Sequence, residues 1–352
     1  MINNIVKEDV NAIIATIKSQ AKALEGKTIL ITGGSGFLGN YFTATLNELN
    51  RSVFKKPCKI IVADNYITGS KKGLINDYDK KNFTFIKKDV CKKIDIKGPV
   101  DYIIHAAGIA SPVYYMKFPL ETIEVNTLGT QNMLDLAKRK KSKSIVFFSS
   151  SEIYGDPTKG NIPTPETYKG NVSSIGPRSC YDESKRLGET LCMTYYNLFK
   201  LPVKIIRPFN VYGPGMKVND DRVLPKFLNA ALSGESLPIH GNGTQTRTYS
   251  YISDAIAGFF LVMLKGKDGH VYNIGNDEDE ISLVNLAKVI SEVFPKKINV
   301  KKIPYPKTYP ADEPNRRCPD ITKAKKELGF KPTTSLKKGI LRTLDWYKNE
   351  FY

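Results

Sequence analysis

The stretch from Arg178 to Arg186 carries two residues whose types and spacing suit proton transfer. Tyr181 and Lys185 lie four positions apart, so on a helix the phenol and the ammonium group share one face. A free tyrosine has a pKa of about 10 and is a poor base near neutral pH. A neighbouring cation favours the phenolate, which can then accept a proton from a substrate hydroxyl. The pair predicts an acid–base centre if a hydride acceptor binds nearby; the alternative is an ordinary pair on a helix surface.

A glycine-rich turn upstream predicts where such an acceptor binds. The turn lies between a predicted strand, Thr28–Thr32, and a predicted helix, Phe37–Leu49. Its glycines follow one another at three-residue spacing: Gly33, Gly36 and Gly39. Strand, glycine turn and helix together let backbone N–H groups approach a pyrophosphate at the N-terminus of the helix. The alternative is a glycine turn in another kind of α/β protein.

A carboxylate after the second predicted strand indicates which dinucleotide binds. The strand Lys59–Ala63 is followed by Asp64, about twenty-five residues beyond the last glycine. A carboxylate there can accept a hydrogen bond from the ribose 2′-hydroxyl and would repel a 2′-phosphate. The sequence therefore favours NAD over NADP.

Further predicted strands extend this pattern into an α/β fold with a doubly wound parallel sheet. They are Phe83–Lys87, Tyr102–His105, Ser144–Ser149 and Val203–Ile206, and a helix is predicted over Val125–Lys138. We expect Ala255–Leu264 and Val271–Ile274 to return to the same sheet. Alternation of strand and helix places ligands at the carboxyl ends of the strands.

The chain divides into three predicted parts. Residues 1–26 hold an amphipathic helix, because apolar residues recur at helical spacing between positions 2 and 24. Residues 27–212, with about 251–275, form the dinucleotide-binding domain. Residues 213–250 and 276–352 form a smaller substrate-binding lobe, since proline and glycine become frequent and the alternation weakens there.

Composition limits the class of protein. The 352 residues carry a net charge of +18, but the lysines are spread along the chain and match no nucleic-acid motif, which favours a solvated surface without a nucleic-acid partner. Five scattered cysteines predict a reducing, cytoplasmic setting and no metal site. The longest apolar run, Ala255–Leu264, is too short to span a bilayer, so no membrane association is expected.

Gly33–Gly39, Ser150, Tyr181 and Lys185 together resemble the extended short-chain dehydrogenase/reductase family that acts on nucleotide sugars. The resemblance extends from about residue 27 to the C-terminus. It implies that Ser150 hydrogen-bonds a sugar hydroxyl, Tyr181 is the base and Lys185 holds the nicotinamide ribose of NAD, giving a 4-keto sugar as intermediate. The cofactor-binding residues that it implies are Gly33, Gly36, Phe37, Leu38, Gly39, Asp64, Asn65, Asp89, Val90, Ala106, Ala107, Asn126, Tyr181 and Lys185.

The residues after Ser150 narrow the reaction that the resemblance implies. A 4,6-dehydratase needs a general acid where this chain has Ser151, and a 4-epimerase usually has a small uncharged residue where it has Glu152. The Ser150-Ser151-Glu152 pattern is similar to that of UDP-glucuronate decarboxylases, as are the strings G-N-G-T-Q-T-R and R-C-P-D-I. This similarity implies oxidation of UDP-glucuronate at C4, loss of carbon dioxide and re-reduction to UDP-xylose.

The decarboxylase resemblance also assigns the remaining site residues. It implies six catalytic residues: Ser150, Ser151, Glu152, Tyr181, Lys185 and Arg247. Arg247 is expected near the substrate carboxylate and Glu152 near C5, the alternative for Glu152 being a buried structural glutamate paired with an arginine. Asn210, Arg222 and Arg317 are expected at the nucleotide-diphosphate end, each with the alternative of an ordinary structural residue.

Other activities stay open at this point. A 4-epimerase, a 4-oxidase or a dehydratase would use the same 4-keto intermediate. A catalytically silent nucleotide-sugar or nucleic-acid binding protein is the alternative from another class, and the intact pair of Tyr181 and Lys185 argues against it. By analogy with the family we expect a homodimer, formed through the helix after Asn126 and the helix that contains Tyr181.

Overall fold

A seven-stranded sheet, in which every neighbouring pair of strands is parallel, lies at the centre of the fold. The computed structural model describes residues 3–71, 73–74, 78–294, 298–305 and 314–352. The strands within these residues are β1 (Thr28–Thr32), β2 (Lys59–Asp64), β3 (Phe83–Lys87), β4 (Tyr102–His105), β5 (Ser144–Phe148), β6 (Val203–Pro208), β7 (Val211–Tyr212), β8 (Leu237–His240), β9 (Thr246–Arg247), β10 (Ser250–Tyr251), β11 (His270–Ile274), β12 (Ile281–Ser282), β13 (Val300–Ile303) and β14 (Arg316–Arg317).

The order of the central strands is that of a doubly wound dinucleotide-binding sheet. It runs β3-β2-β1-β4-β5-β6-β11. The connections change direction between β1 and β4, and sheets of this kind bind ligands in the crevice beyond the carboxyl ends of such strands. The predicted fold class is therefore confirmed, and β1, β3 and β4 have the predicted bounds.

Helices cover both faces of the sheet because neighbouring side chains of a strand point in opposite directions. In β1, Ile29 and Ile31 pack into one core with α2 and α8, whereas Leu30 packs into a second core with α5 and α6. The helices are α1 (Asn4–Ala21), α2 (Phe37–Ser52), α3 (Pro112–Lys117), α4 (Pro119–Glu124), α5 (Thr130–Lys140), α6 (Ser179–Phe199), α7 (Val223–Leu232), α8 (Ile252–Lys265), α9 (Leu283–Glu292), α10 (Thr322–Leu328) and α11 (Leu336–Phe351).

The apolar run Ala255–Leu264 forms most of α8 and not a strand, which corrects one expectation. A short run that is apolar on all sides suits a buried helix as well as a buried strand. The other predicted segment does return to the sheet, where β11 pairs with β6 at the edge. Among the described residues, no helix is both long and apolar enough to cross a membrane.

The helix predicted over Val125–Lys138 is part of a longer helical segment. It begins with α4, continues through a π-helical turn at Val125–Gly129 and ends with α5. The wider turn carries Asn126, which is fully buried. π-Helical turns inside helices often mark functional sites.

The two stretches predicted to form the smaller lobe pair with each other. β8 pairs with β13, and β9 lies between β12 and β14. Each pairing joins a strand from residues 213–250 with one from residues 276–352. These pairings bring together two parts of the chain that are separated by α8 and β11.

The N-terminal helix packs on the body of the protein. Its apolar face is buried against α8 and α2. On the same face Asp9 is only 2% exposed and accepts hydrogen bonds from the hydroxyls of Tyr41 and Tyr251. The guanidinium of Arg342 in α11 also donates to it, at 2.8 Å. One buried carboxylate thus joins α1, α2, β10 and α11.

We predict that Asp9→Asn lowers the free energy of unfolding by about 3 kcal/mol, because an amide cannot accept all the hydrogen bonds that the buried carboxylate receives from Tyr41, Tyr251 and Arg342. Urea unfolding would measure the change. Glu8→Gln is the matched control: Glu8 contacts the same Arg342 but is exposed, and we expect a loss below about 1 kcal/mol. Equal losses in both variants would contradict the role assigned to Asp9.

Candidate active site

The carboxyl ends of the central strands open into a cavity of about 1360 Å³, here called the central cavity. Of the predicted catalytic, cofactor-binding and substrate-binding residues, all except Asn126 line it. Asn126 lies behind the wall, where its Nδ2 atom donates to the Ser184 hydroxyl of α6 at 2.9 Å. Its buried Oδ1 atom has no hydrogen-bond partner among the described residues. Asn126 therefore contacts the helix that carries Tyr181 and not the cavity surface.

The glycine turn brings β1, β4 and α2 into close contact. Gly33 has a φ of +70°, and a Cβ atom there would lie 2.7 Å from the carbonyl oxygen of Ala106. A Cβ atom on Gly39 would lie 2.2 Å from the carbonyl oxygen of Gly33. Only glycine fits such approaches, and they hold the N-terminus of α2 beside the central cavity, where its free N–H groups favour an anion.

Asp64 lies at the end of β2 with its carboxylate largely buried. One oxygen accepts from the backbone N–H of Ser35 in the glycine turn at 2.9 Å, and the other accepts from that of Tyr66 at 2.7 Å. A carboxylate oxygen can accept more than one hydrogen bond, so both retain capacity for hydroxyl groups. Asn65 donates to Asp89 at 3.1 Å, which links the ends of β2 and β3.

Tyr181 and Lys185 are both buried on α6, beside Ser150. The Ser150 hydroxyl forms a hydrogen bond with the Tyr181 phenol, and Lys185 Nζ donates to the carbonyl oxygen of Phe148 at 2.6 Å. The ring of Tyr115 stacks on that of Tyr181, with 5.1 Å between the centroids. The phenol is therefore held on two sides.

Burial is the largest cause of the pKa shifts of Tyr181 and Lys185. It raises the pKa of Tyr181, and the hydrogen bond from Ser150 offsets only part of the increase. Burial also lowers the pKa of Lys185 to about 7, which weakens the cation that was expected to favour the phenolate. Desolvation penalises both charged forms, so burial opposes the phenolate that a neighbouring cation favours.

Glu152 lies between two arginines. Ser150 caps the short helical turn Ser151–Tyr154, which presents the Glu152 carboxylate to the cavity. Arg178, from the residue before α6, donates to Oε2. Arg317 donates through Nη1 to Oε1 and through Nη2 to Oε2, the latter at 2.6 Å. Both guanidiniums are buried, so this is a charge cluster within the site.

The placement of Arg317 differs from the expectation that grouped it with Arg222. Arg317 pairs in register with Arg247 through β14 and β9, which brings its side chain to the Glu152 end of the cavity. Arg316, its neighbour, points the opposite way and pairs with Glu280. The two-residue period of a strand separates the roles of these adjacent arginines.

Arg247 is buried and donates to backbone carbonyl oxygens. Its Nη2 atom lies 2.7 Å from the oxygen of Pro314 and its Nη1 atom 2.9 Å from that of Thr246. Arg247 lines the cavity and adds positive charge there. Its hydrogen bonds also hold the segment that leads to Arg317.

Asn210 and Arg222 line the cavity on the side of the smaller lobe. Asn210 has a left-handed backbone with a φ of +39°, and its Nδ2 atom donates to the carbonyl oxygen of Thr248 at 2.9 Å. Arg222 forms a bidentate pair with Asp220, at 2.9 and 2.7 Å. Asn210 is thus positioned by a backbone oxygen of the smaller lobe, and Arg222 by a carboxylate within that lobe.

Two residues of the candidate active site, Arg178 and Tyr115, were not assigned a role from the sequence. Arg178 stands in the same string as Tyr181, three positions earlier, and that proximity was a usable signal. Tyr115 lies within α3, and no local pattern places its ring against Tyr181, 66 positions later.

The described residues fit a dinucleotide. The glycine turn presents a helix N-terminus, Asp64 offers carboxylate oxygens, and the buried hydroxyl of Ser149 in the cavity wall has no hydrogen-bond partner within the described residues. Over the same residues, no group of three or more His, Cys, Asp or Glu side chains is arranged to hold a metal ion.

Solved structures share this architecture. An epimerase from Methanothermobacter thermautotrophicus superposes with a TM-score of 0.80 at 25% identity, covering 96% of this chain and 97% of its own. A UDP-glucuronic acid 4-epimerase from Bacillus cereus, solved with UDP-glucuronic acid and NAD, gives a TM-score of 0.73 at 26% identity, covering 92% of this chain and all of its own.

Sequence relatives are more similar. UDP-glucuronic acid decarboxylase 5 of Arabidopsis thaliana is 43% identical over 312 residues, which cover 89% of this chain and 86% of the relative. The model of the NAD dependent epimerase/dehydratase family matches residues 29–275. The chain therefore belongs to the NAD dependent epimerase/dehydratase family.

Proposed function

We propose that the protein is an NAD-dependent UDP-glucuronate decarboxylase that produces UDP-xylose. The decarboxylase relatives support this activity. The observation that carries it is the charge in the cavity near Tyr181. Arg178 and Arg317 both contact Glu152, and Arg178 also approaches Asp182. Buried Arg247, in register with Arg317, adds a third guanidinium to the same cavity. The excess of positive charge suits a sugar that carries a carboxylate of its own.

The same cluster disfavours a dehydratase. That reaction must protonate a leaving hydroxyl, and Ser151 cannot do so near neutral pH. Both oxygens of Glu152 already accept hydrogen bonds from guanidiniums. Loss of carbon dioxide needs no leaving-group acid, which agrees with these residues.

The residues around Tyr181 can promote decarboxylation of a 4-keto acid. When bound, NAD supplies the chemistry of hydride removal from C4 and its later return. Tyr181 is positioned by Ser150 and Tyr115 to take the proton of the C4 hydroxyl. The phenol and the Ser150 hydroxyl can then donate to the C4 oxygen, where negative charge develops as carbon dioxide leaves. The arginines orient the carboxylate before it departs. A proton from solvent must then reach C5 before the C4 carbonyl is reduced again.

We predict that the purified enzyme converts UDP-glucuronate to a product lighter by one carbon dioxide, without added NAD. Mass spectrometry of the product measures this directly. A product of unchanged mass and new retention time would instead support a 4-epimerase, and a 4-keto product with accumulated NADH would support a 4-oxidase.

We predict that Glu152→Gln lowers kcat at least about tenfold, because an amide cannot accept the charge-assisted hydrogen bonds of both guanidiniums. Initial rates of carbon dioxide release measure the effect. Glu183→Gln is the control, since Glu183 is on α6 but pairs with Arg186 at the surface; its rate should stay within about twofold of the wild type. An unchanged rate in Glu152→Gln would exclude a role for this carboxylate in turnover.

We also propose that the protein is a homodimer, with a second copy covering α4, the adjoining π-helical turn and α6. These helices pack together and expose large apolar side chains, with Leu120 70% and Leu198 68% exposed. Leu128 and Leu187, about half exposed, extend the patch. Apolar surface of this kind usually marks an interface.

We predict that the double variant Leu128→Asp/Leu187→Asp sediments as a monomer at micromolar concentration, because an interface would bury both charges. Analytical ultracentrifugation would measure the mass. Leu341→Asp, on the exposed side of α11, is the control and should keep the wild-type mass. A double variant that remains dimeric would place the interface elsewhere.

A further inference from the structure

We propose that Lys217 retains the bound dinucleotide by tying the smaller lobe to the loop that covers the glycine turn. This inference rests on NAD binding, as part of the proposed function, and not on the identity of the sugar. Lys217 lies in the segment 213–222, here called the crossing segment, which follows β7 and lines the central cavity from the lobe side.

Lys217 reaches across the cavity to the cofactor side. Its Nζ atom donates to the carbonyl oxygen of Thr68 at 2.9 Å. Thr68 belongs to the loop after β2, a name used here for residues 65–71 and 73–74. This loop contacts the glycine turn, because the N–H of Ser70 donates to the carbonyl oxygen of Ser35 at 3.1 Å. A Cβ atom on Gly69 would lie 2.9 Å from that of Ser35. Lys217 thus binds, from the lobe side of the cavity, the loop that contacts the glycine turn.

The lysine is itself held in position by its surroundings. Met216, the residue before it, is buried, and Gly215 has a φ of +92°. A Cβ atom on Gly215 would lie 3.1 Å from the side chain of Leu74, so the crossing segment also contacts the loop after β2 through its backbone. The Nζ atom of Lys217 lies 5.4 Å from the ring centroid of Tyr114 in α3, within the range of a cation–π contact. Lys217 therefore joins three segments around the cavity.

Thr68, Gly69 and Ser70 line the central cavity together with the glycine turn, so a dinucleotide bound on that turn would lie against them. The loop after β2 must move away from Ser35 before the ligand can leave, and that movement breaks the hydrogen bond from the ammonium group to Thr68. A hydrogen bond from a charged donor is about twice as strong as a neutral one. Because re-reduction must follow oxidation on the same cofactor, slow release keeps the catalytic cycle intact.

The test measures release of NADH from the loaded protein with no nucleotide sugar present. We predict that Lys217→Met dissociates NADH about tenfold faster or more than the wild type, as expected for loss of one charge-assisted hydrogen bond. Fluorescence of bound NADH after dilution into excess NAD gives the rate. Lys217→Arg, which keeps the charge, should stay within about threefold of the wild type.

Lys288→Met is the matched control, because it removes one exposed lysine of the same lobe on α9; its rate should equal that of the wild type. Wild-type release in Lys217→Met would overturn the inference, and a raised KM for UDP-glucuronate in that variant would assign Lys217 to the sugar nucleotide instead. Failure of the wild type to bind NADH would overturn the proposed cofactor as well. Failure to decarboxylate UDP-glucuronate leaves the release measurement intact, so the two proposals fail separately.

Discussion

The carboxylate of Glu152 is stabilised by two guanidiniums that come from different parts of the chain. Removal of a charge from water costs several kcal/mol unless a partner compensates for it. Arg178 comes from the start of α6 and Arg317 from the smaller lobe, 165 positions away from Glu152. Their contact with Glu152 therefore joins the end of β5, the start of α6 and β14. The geometry around Ser150 and Tyr181 depends on that junction.

Burial in the same site has two effects on the acid–base pair. It favours the neutral phenol of Tyr181 and the neutral amine of Lys185, which opposes the proton abstraction that the spacing of these residues predicts. It also strengthens the interaction of both groups with charge that develops on a substrate oxygen, because little water remains to screen it. Such a site interacts more strongly with the charge that develops in the transition state than with an uncharged substrate oxygen.

The parts of the structure that were predicted from the sequence depend on neighbours in the chain. The glycine turn, the bounds of β1 and the helical spacing of Tyr181 and Lys185 are local patterns. The parts that were not predicted depend on partners far away. α8 was assigned to the sheet because an apolar run does not reveal its period. The direction in which the Arg317 side chain points depends on the register of β14 against β9. That register cannot be predicted from the residues next to Arg317 in the chain.

The contact between Asp9 and Arg342 has a consequence for synthesis. The two residues are 333 positions apart, and at a synthesis rate of about 5–20 residues per second their encounter comes tens of seconds after α1 emerges. During that interval α1 can already pack on α2, but its carboxylate lacks the guanidinium that will neutralise it. α1 is thus synthesised long before the residue that neutralises its buried carboxylate, and the residues between them must begin to fold without that contact.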